Sequence, residues 1–458
     1  MAHRQTYGTH ARAVLGLGLP LIGSHLAQMS LHITDTIMLG WYSISALASV
    51  VLGGTLFFVL FILGSGFAQS LMPLVAHAAA ADDDRQVRRA TRMGLWLSIL
   101  FGGLILPVLW HSASLLRGLG QDPDIAALAQ DFLRIAGFGM IPALVVMALK
   151  SYLAALHRTQ VVLWVTIATV FVNAGLAYAL IFGHWGAPEL GVRGAAIASL
   201  GSQLLSAVLL LIYAAAFGPL RRYALFLRFW RPDWQAMAQV WRLGWPIGLT
   251  GLAESGLFSA ASVMMGWIGT PELAAHGIAM QIASITFMIH LGLSNAATVR
   301  AGRALGEGDP AGLRDGALVA IALSMLAAFG FISAFLGMPG ALIGLFLAPG
   351  DPERAALIRI GSGLLVMAAL FQLTDAAQVM ALGLLRGVQD TRVPMLIAIV
   401  SYWVIGAPMA YLMGTSWGLG GQGIWLGLVI GLTFAATLLM LRFWGGMARR
   451  MPARAAQA

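Results

Sequence analysis

The chain has 458 residues, 59% hydrophobic and only 10% charged, with a mean hydropathy of +0.84 and a formal net charge of +9. A soluble globular chain carries about 45–50% apolar and about 25% charged residues, so this composition excludes one and indicates an integral membrane protein. Cysteine is absent, which excludes disulfides, thiolate catalysis and cysteine-ligated metal clusters.

Apolar windows near the roughly 20 residues that span a bilayer as helix recur at about 14–40, 46–76, 93–113, 132–156, 161–182, 194–217, 238–267, 273–299, 316–348, 356–385, 393–413 and 421–443. The in-and-out alternation of a membrane β-barrel is missing, and only helices otherwise close their backbone hydrogen bonds inside lipid. The expected fold is therefore an all-α polytopic membrane protein with twelve transmembrane helices. The first window follows a short basic lead, Arg4 and Arg12, and is too long for a cleaved leader; it is read as a retained first helix. It contains Pro20 and a polar stripe of His25, Gln28, His32 and Asp35, whose three- and four-residue steps share one helix face. Lys150 lies in the fourth window and is expected to be the only base inside a span. Asn173 lies in the fifth, Glu254 in the seventh, Gln281 and Asn295 in the eighth, and Gln372 and Asp375 in the tenth.

Between the windows the connections alternate in chemistry. Those at 77–92, 218–242, 300–314 and 386–392, and the tail with Arg442 and Arg454, are rich in arginine, whereas Arg117, Arg134, Arg193, Arg354 and Arg359 are thinly spread over the others. Because cytoplasmic loops hold the excess of Lys and Arg, both termini are expected in the cytoplasm. Asp351 and Glu353 then fall on the outer side. The basic charge is a topology signal, and nucleic acid is not expected as a partner.

The sequence is also written twice. Residues 16–50 lie over 242–276 without a gap, matching Pro20 with Pro246, Met38 with Met264, and Gly40-Trp41 with Gly266-Trp267. The expected organisation is an N-terminal six-helix lobe at 1–217, a cytoplasmic linker at 218–240, and a C-terminal six-helix lobe at 241–458. Six helices return the chain to the side on which it started, so the repeat is parallel, a type that places the substrate path between its halves.

Of the 18 acids, only Asp35, Glu254 and Asp375 fall inside spans. Ionised and facing lipid they would cost about 2.5–3.5 kcal/mol each, so they are expected to face water or to be protonated. Glu254 occupies the position of Gln28 in the repeat register. A buried acid can instead pair with a neighbour, but Lys150 neutralises at most one of the three. His25 and His32 are packing residues or proton relays, and Asn173, Gln281 and Asn295 are ligand contacts or interhelical hydrogen-bonding residues.

"LPLI" opening the first span, "TDTIMLGWYSISALA" ending it, "LAESGLFSAASVMMGWIGTPELAAHGIAMQIASI" in the seventh and eighth, and "QLTDAAQVMALGLLRGVQDTRVP" in the tenth resemble the multidrug and toxic compound extrusion (MATE) family, NorM-like branch. The resemblance covers nearly the whole chain. It implies secondary active efflux of small organic cations in exchange for inward Na+ or H+, with no cofactor and no enzymatic reaction. It also implies that Asp35, Glu254 and Asp375 bind cation and substrate, with Na+ at Glu254, Asp375 or Asp35; Gln28, His32, Asn173, Gln281, Asn295 and Gln372, from their place in the spans, are the expected supporting polar residues. Two departures stand out: Phe371 occupies a position where NorM-like proteins commonly carry Tyr, and Ala177 a position where some relatives carry a polar or acidic residue. Membrane lipid is the other expected partner, and one chain holding both halves is expected to act as a monomer. The alternative is a lipid-linked oligosaccharide flippase of related architecture, expected to carry an arginine cluster inside its spans; none is found.

Overall fold

The computed structural model describes residues 6–350 and 352–450; Arg4, Asp351 and Arg454, used in sorting the charges, lie outside them. The described residues form helices and turns without strands, and twelve helices are long and apolar enough to cross a membrane. In chain order they are α1 (Tyr7–Tyr42), α2 (Ile44–Ala80), α3 (Asp84–Trp110), α4 (Pro123–Ala155), α5 (Thr159–Phe182), α6 (Val192–Ala216), α7 (Trp234–Ile268), α8 (Thr270–Glu307), α9 (Pro310–Gly337), α10 (Arg354–Gly387), α11 (Arg392–Ser416) and α12 (Gly420–Gly446).

Acids of the arginine-rich connections start two of these helices. The Asp83 carboxylate accepts from the Gln86 backbone N–H at 2.8 Å and caps α3, and Asp309 accepts from Gly312 at 2.9 Å and caps α9. Such caps satisfy otherwise orphaned amides. Laying Pro20 on Pro246 also lays Asp83 on Asp309, so the repeat extends to its helix starts. The ninth window, expected to run to 348, breaks earlier: Met338 leaves the helical region and Pro339 begins a separate short helix, Pro339–Gly344. Hydropathy alone does not register a proline, which restricts the residue before it.

The chain folds as two compact units, one made of Gly23–Leu249 and the other of Met1–Ile22 with Thr250–Ala458. Both crossings fall inside helices, just beyond Pro20 in α1 and just beyond Pro246 in α7.

Within the 23–249 unit, the first part of α7 packs tightly on α2. A Cβ placed on Gly244 would come within 2.7 Å of the Phe67 Cα, and Trp241 stacks on Phe67 at 5.0 Å between centroids. Arg89 of α3 grips Asp233, the residue before α7, through two hydrogen bonds, and Gln86 bonds Gln239 at 2.8 Å.

Within the other unit, α8 and α10 form the central pair. Ser294 donates to the Val379 carbonyl at 2.7 Å and Thr298 to the Gly383 carbonyl at 2.8 Å. The first part of α1 rests on α8, where Gly18 faces Leu293 and His10 meets Arg300 at 2.7 Å. Asp315, expected in a loop, is 4% exposed in α9.

Candidate functional site

Each unit holds polar side chains within its spans, an acid-centred group among them. In the 23–249 unit, α1 presents Asp35, half-buried, to α5. The fully buried Asn173 donates its amide N–H to Asp35 Oδ1 at 2.6 Å, and Ser202 of α6 donates to Asn173 Oδ1 at 2.8 Å. An amide that accepts from a hydroxyl and donates to a carboxylate has both ends fixed. The relay Ser202, Asn173, Asp35 therefore holds one carboxylate oxygen from α5, and Ser199 of α6 also hydrogen-bonds to the carboxylate.

Two turns earlier on α1, Gln28 turns to a different partner: Lys150 Nζ of α4 donates to its Oε1 at 3.4 Å. His32 lies between Gln28 and Asp35, is exposed, and hydrogen-bonds to neither. The expected polar face of α1 thus divides into an acid bound by α5 and an amide bound by α4.

In the other unit, α7 presents Glu254, whose Oε1 accepts from Gln378 Nε2 of α10 at 3.2 Å. Asp375, one turn before Gln378, is 0% exposed, and among the described residues neither of its carboxylate oxygens has a hydrogen-bond partner. Glu254 lies within its electrostatic reach. Gln378 Oε1 and the hydroxyl of the fully buried Tyr402 also lack partners. Tyr402 comes from a wide π-helical turn of α11, Val400–Gly406, and lies within electrostatic reach of both acids. Such turns occur often at functional sites. Buried polar atoms left unpaired are costly, so a group of them around two carboxyls calls for a proton, a water or a cation.

Gln372 sits one turn before Asp375 but belongs to a separate network: it donates to Thr286 of α8 and meets His290, which in turn meets Ser324 at 2.9 Å. Asn295 is half-buried beside Ser294, and Gln281, earlier in α8, is half-buried. Phe371 packs between Phe258 and Trp425, at 5.8 and 5.6 Å. A phenol does come within electrostatic range of the acids, but from α11 and without a hydrogen bond to them.

Besides Lys150, a second base stands near these acids. Arg386 belongs to the last turn of α10 and lies within electrostatic reach of Glu254. A long flexible arginine stem carries its head well away from its backbone position, which is why charge sorting assigned it to a loop. Ser202 and Tyr402 were missed for another reason. Hydroxyl residues are common in these spans, and which helices adjoin is not written in hydropathy.

The family model described as MatE matches residues 20–179 and again 246–412, one match beginning at each proline of the repeat. A protein named probable multidrug resistance protein NorM, from Rhizobium meliloti (strain 1021), is 46% identical over 451 residues, covering 98% of this chain and 97% of its own. One of the same name from Agrobacterium fabrum (strain C58) is 45% identical over 437 residues, covering 95% and 94%. Among solved structures, the outward-facing conformation of a multidrug resistance MATE family transporter of the MOP superfamily has a TM-score of 0.88 at 20% identity, covering 97% of each chain. At that identity the likeness is one of fold.

Proposed function

The chain belongs to the MatE family, whose members are transporters and not enzymes, and from that premise we propose that it exports cationic amphipathic compounds in exchange for inward Na+ or H+. The coarser reading, a multi-pass membrane transporter of the multidrug efflux class, rests on the family and on relatives named for multidrug resistance. The finer one adds a bacterial inner-membrane location with both termini cytoplasmic, a monomer as the working unit, and alternating access by movement of six-helix lobes at 1–217 and 241–458.

The observation that carries the exchange reading is Asp375. Its carboxyl is fully buried, both oxygens lack protein partners, and a second acid, Glu254, is near. Two carboxyls within electrostatic reach of one another resist ionising together without compensating positive charge, and Arg386 acts on Glu254 but not on Asp375. A proton, a Na+ ion or an organic cation supplies that charge, and occupancy by one opposes occupancy by another. The oxygen-only donor set of Asp375, Glu254, Gln378 and Tyr402 suits a hard cation, and the same carboxyls accept a proton. Asp35, held by Asn173 and Ser199 in its own unit, is the second cation-binding acid in this reading. Competition at the acids links the two fluxes, and alternating exposure of the sites makes the exchange vectorial.

The test is competition in detergent solution. Ethidium bound to the purified protein is followed by anisotropy while Na+ is added at fixed pH, or the pH is lowered without Na+. Displacement by one of these ions, lost in Glu254→Gln and Asp375→Asn, is expected. Ethidium binding insensitive to both ions in the native protein contradicts the exchange reading.

A further inference from the structure

Lys150 is a base within a span that none of the exchange chemistry uses. Lys150 lies five residues before the end of α4 at Ala155, and intramembrane ionisable groups mark binding or transport paths. Among the described residues no carboxylate forms an ion pair with Lys150. Its one hydrogen bond is the long contact, 3.4 Å, to the neutral Gln28 amide. An ammonium has three N–H donors, so its bonding capacity is largely unspent, and it is half-buried rather than sealed. His25, on the preceding turn of α1, lies within its electrostatic reach and adds no negative charge.

Gln28 also fixes where this cation sits. It shares a face of α1 with Asp35, seven residues on, and at 1.5 Å per residue the two are about 10 Å apart along the axis. Leu31 and the exposed His32 lie between them on that face. One helix face therefore carries a cationic point at one level and an acid two turns away. A simple organic cation meets repulsion at the first and attraction at the second. A ligand with an anionic group at one end and a cationic group at the other meets attraction at both.

We propose that Lys150, positioned by Gln28, is an anion-recognition point that selects amphipathic substrates bearing a carboxylate as well as a cationic centre. This rests on the transport reading above and names a ligand class for it. The same side chain used only as a packing pin against Gln28 would be indifferent to ligand charge, and the test separates the two.

Tetramethylrhodamine, a zwitterion with a free carboxylate, and its methyl ester, a cation of the same skeleton, differ in that one charge. Their binding to the full-length purified protein is read by anisotropy, and their uptake into proteoliposomes is read in parallel. The zwitterion is expected to bind about tenfold more tightly than the ester, the size of one charge-assisted hydrogen bond. Lys150→Met should bring that ratio to near unity by weakening the zwitterion and, with a like charge removed, tightening the ester, while Lys150→Arg should retain the preference. Equal binding of the two dyes to the native protein overturns the proposal, and this arm does not depend on any variant folding. An unchanged ratio in Lys150→Met overturns it as well. Binding discrimination without uptake of either dye upholds the anion point and counts against the transport reading instead.

Discussion

Asn173 donates to Asp35 over 2.6 Å, and this bond joins α5 to α1 through an amide that Ser202 fixes from behind. A hydrogen bond to a charged group contributes about 1.5–3 kcal/mol, and here it also sets the direction in which the remaining carboxylate oxygen points. Asn173→Leu should therefore weaken ethidium binding roughly ten- to a hundredfold, the equivalent of that energy. Asp35→Asn should abolish it. A titration of both variants by dye anisotropy, with thermal unfolding as the folding control, checks this; native affinity in Asn173→Leu would show that the relay does not support the ligand.

Asp375 makes the opposite prediction for stability. Its carboxyl is wholly buried and unpartnered, so an amide of the same shape removes no protein hydrogen bond and removes a group that is hard to bury charged. Asp375→Asn should unfold at the native temperature or above it, while its ethidium binding stops responding to Na+ or H+. A variant that unfolds well below the native protein would mean the carboxyl holds the helices together.

The pH dependence that can be assigned lies outside the spans, at Asp233. Its hydrogen bonds from Arg89 hold the carboxyl below the usual carboxylate range. A depressed acid stabilises the fold above its unfolded value, near 4, and that contribution is lost as the pH falls through the lower folded value. The pair is partly exposed, at 29% and 18% for the two side chains, so its worth is about 1 kcal/mol or less. Asp233→Asn should unfold slightly below the native protein above about pH 5, and the two curves should converge in acid below about pH 4. Unfolding temperatures measured by intrinsic fluorescence across that range decide the point; a constant gap would mean the ion pair is not its source.

Much of this molecule is legible before any coordinate is seen, for physical reasons that differ between elements. Helices in lipid must satisfy their own backbones, so length and hydropathy expose the spans. The Pro20 and Pro246 register exposes the repeat, and the rarity of acids in spans singles out Asp35, Glu254 and Asp375. What pairs with those acids is written nowhere in a linear pattern. Asn173 and Gln378 are single polar letters among many, Tyr402 lies on another helix whose π-helical turn no periodicity announces, and Arg386 acts at a distance from its own backbone. The loss of helix at Met338 shows the same limit from the other side, since an apolar run continues through a break that Pro339 imposes.

The exchange of a cation for an ion at buried acids is tested most directly by ethidium transport into proteoliposomes holding the full-length protein, driven first by a Na+ gradient alone and then by a pH gradient alone. One gradient should drive transport, and Glu254→Gln and Asp375→Asn should each uncouple it. Transport under neither gradient in tight, correctly loaded vesicles, or equal transport in the two variants, would contradict the account.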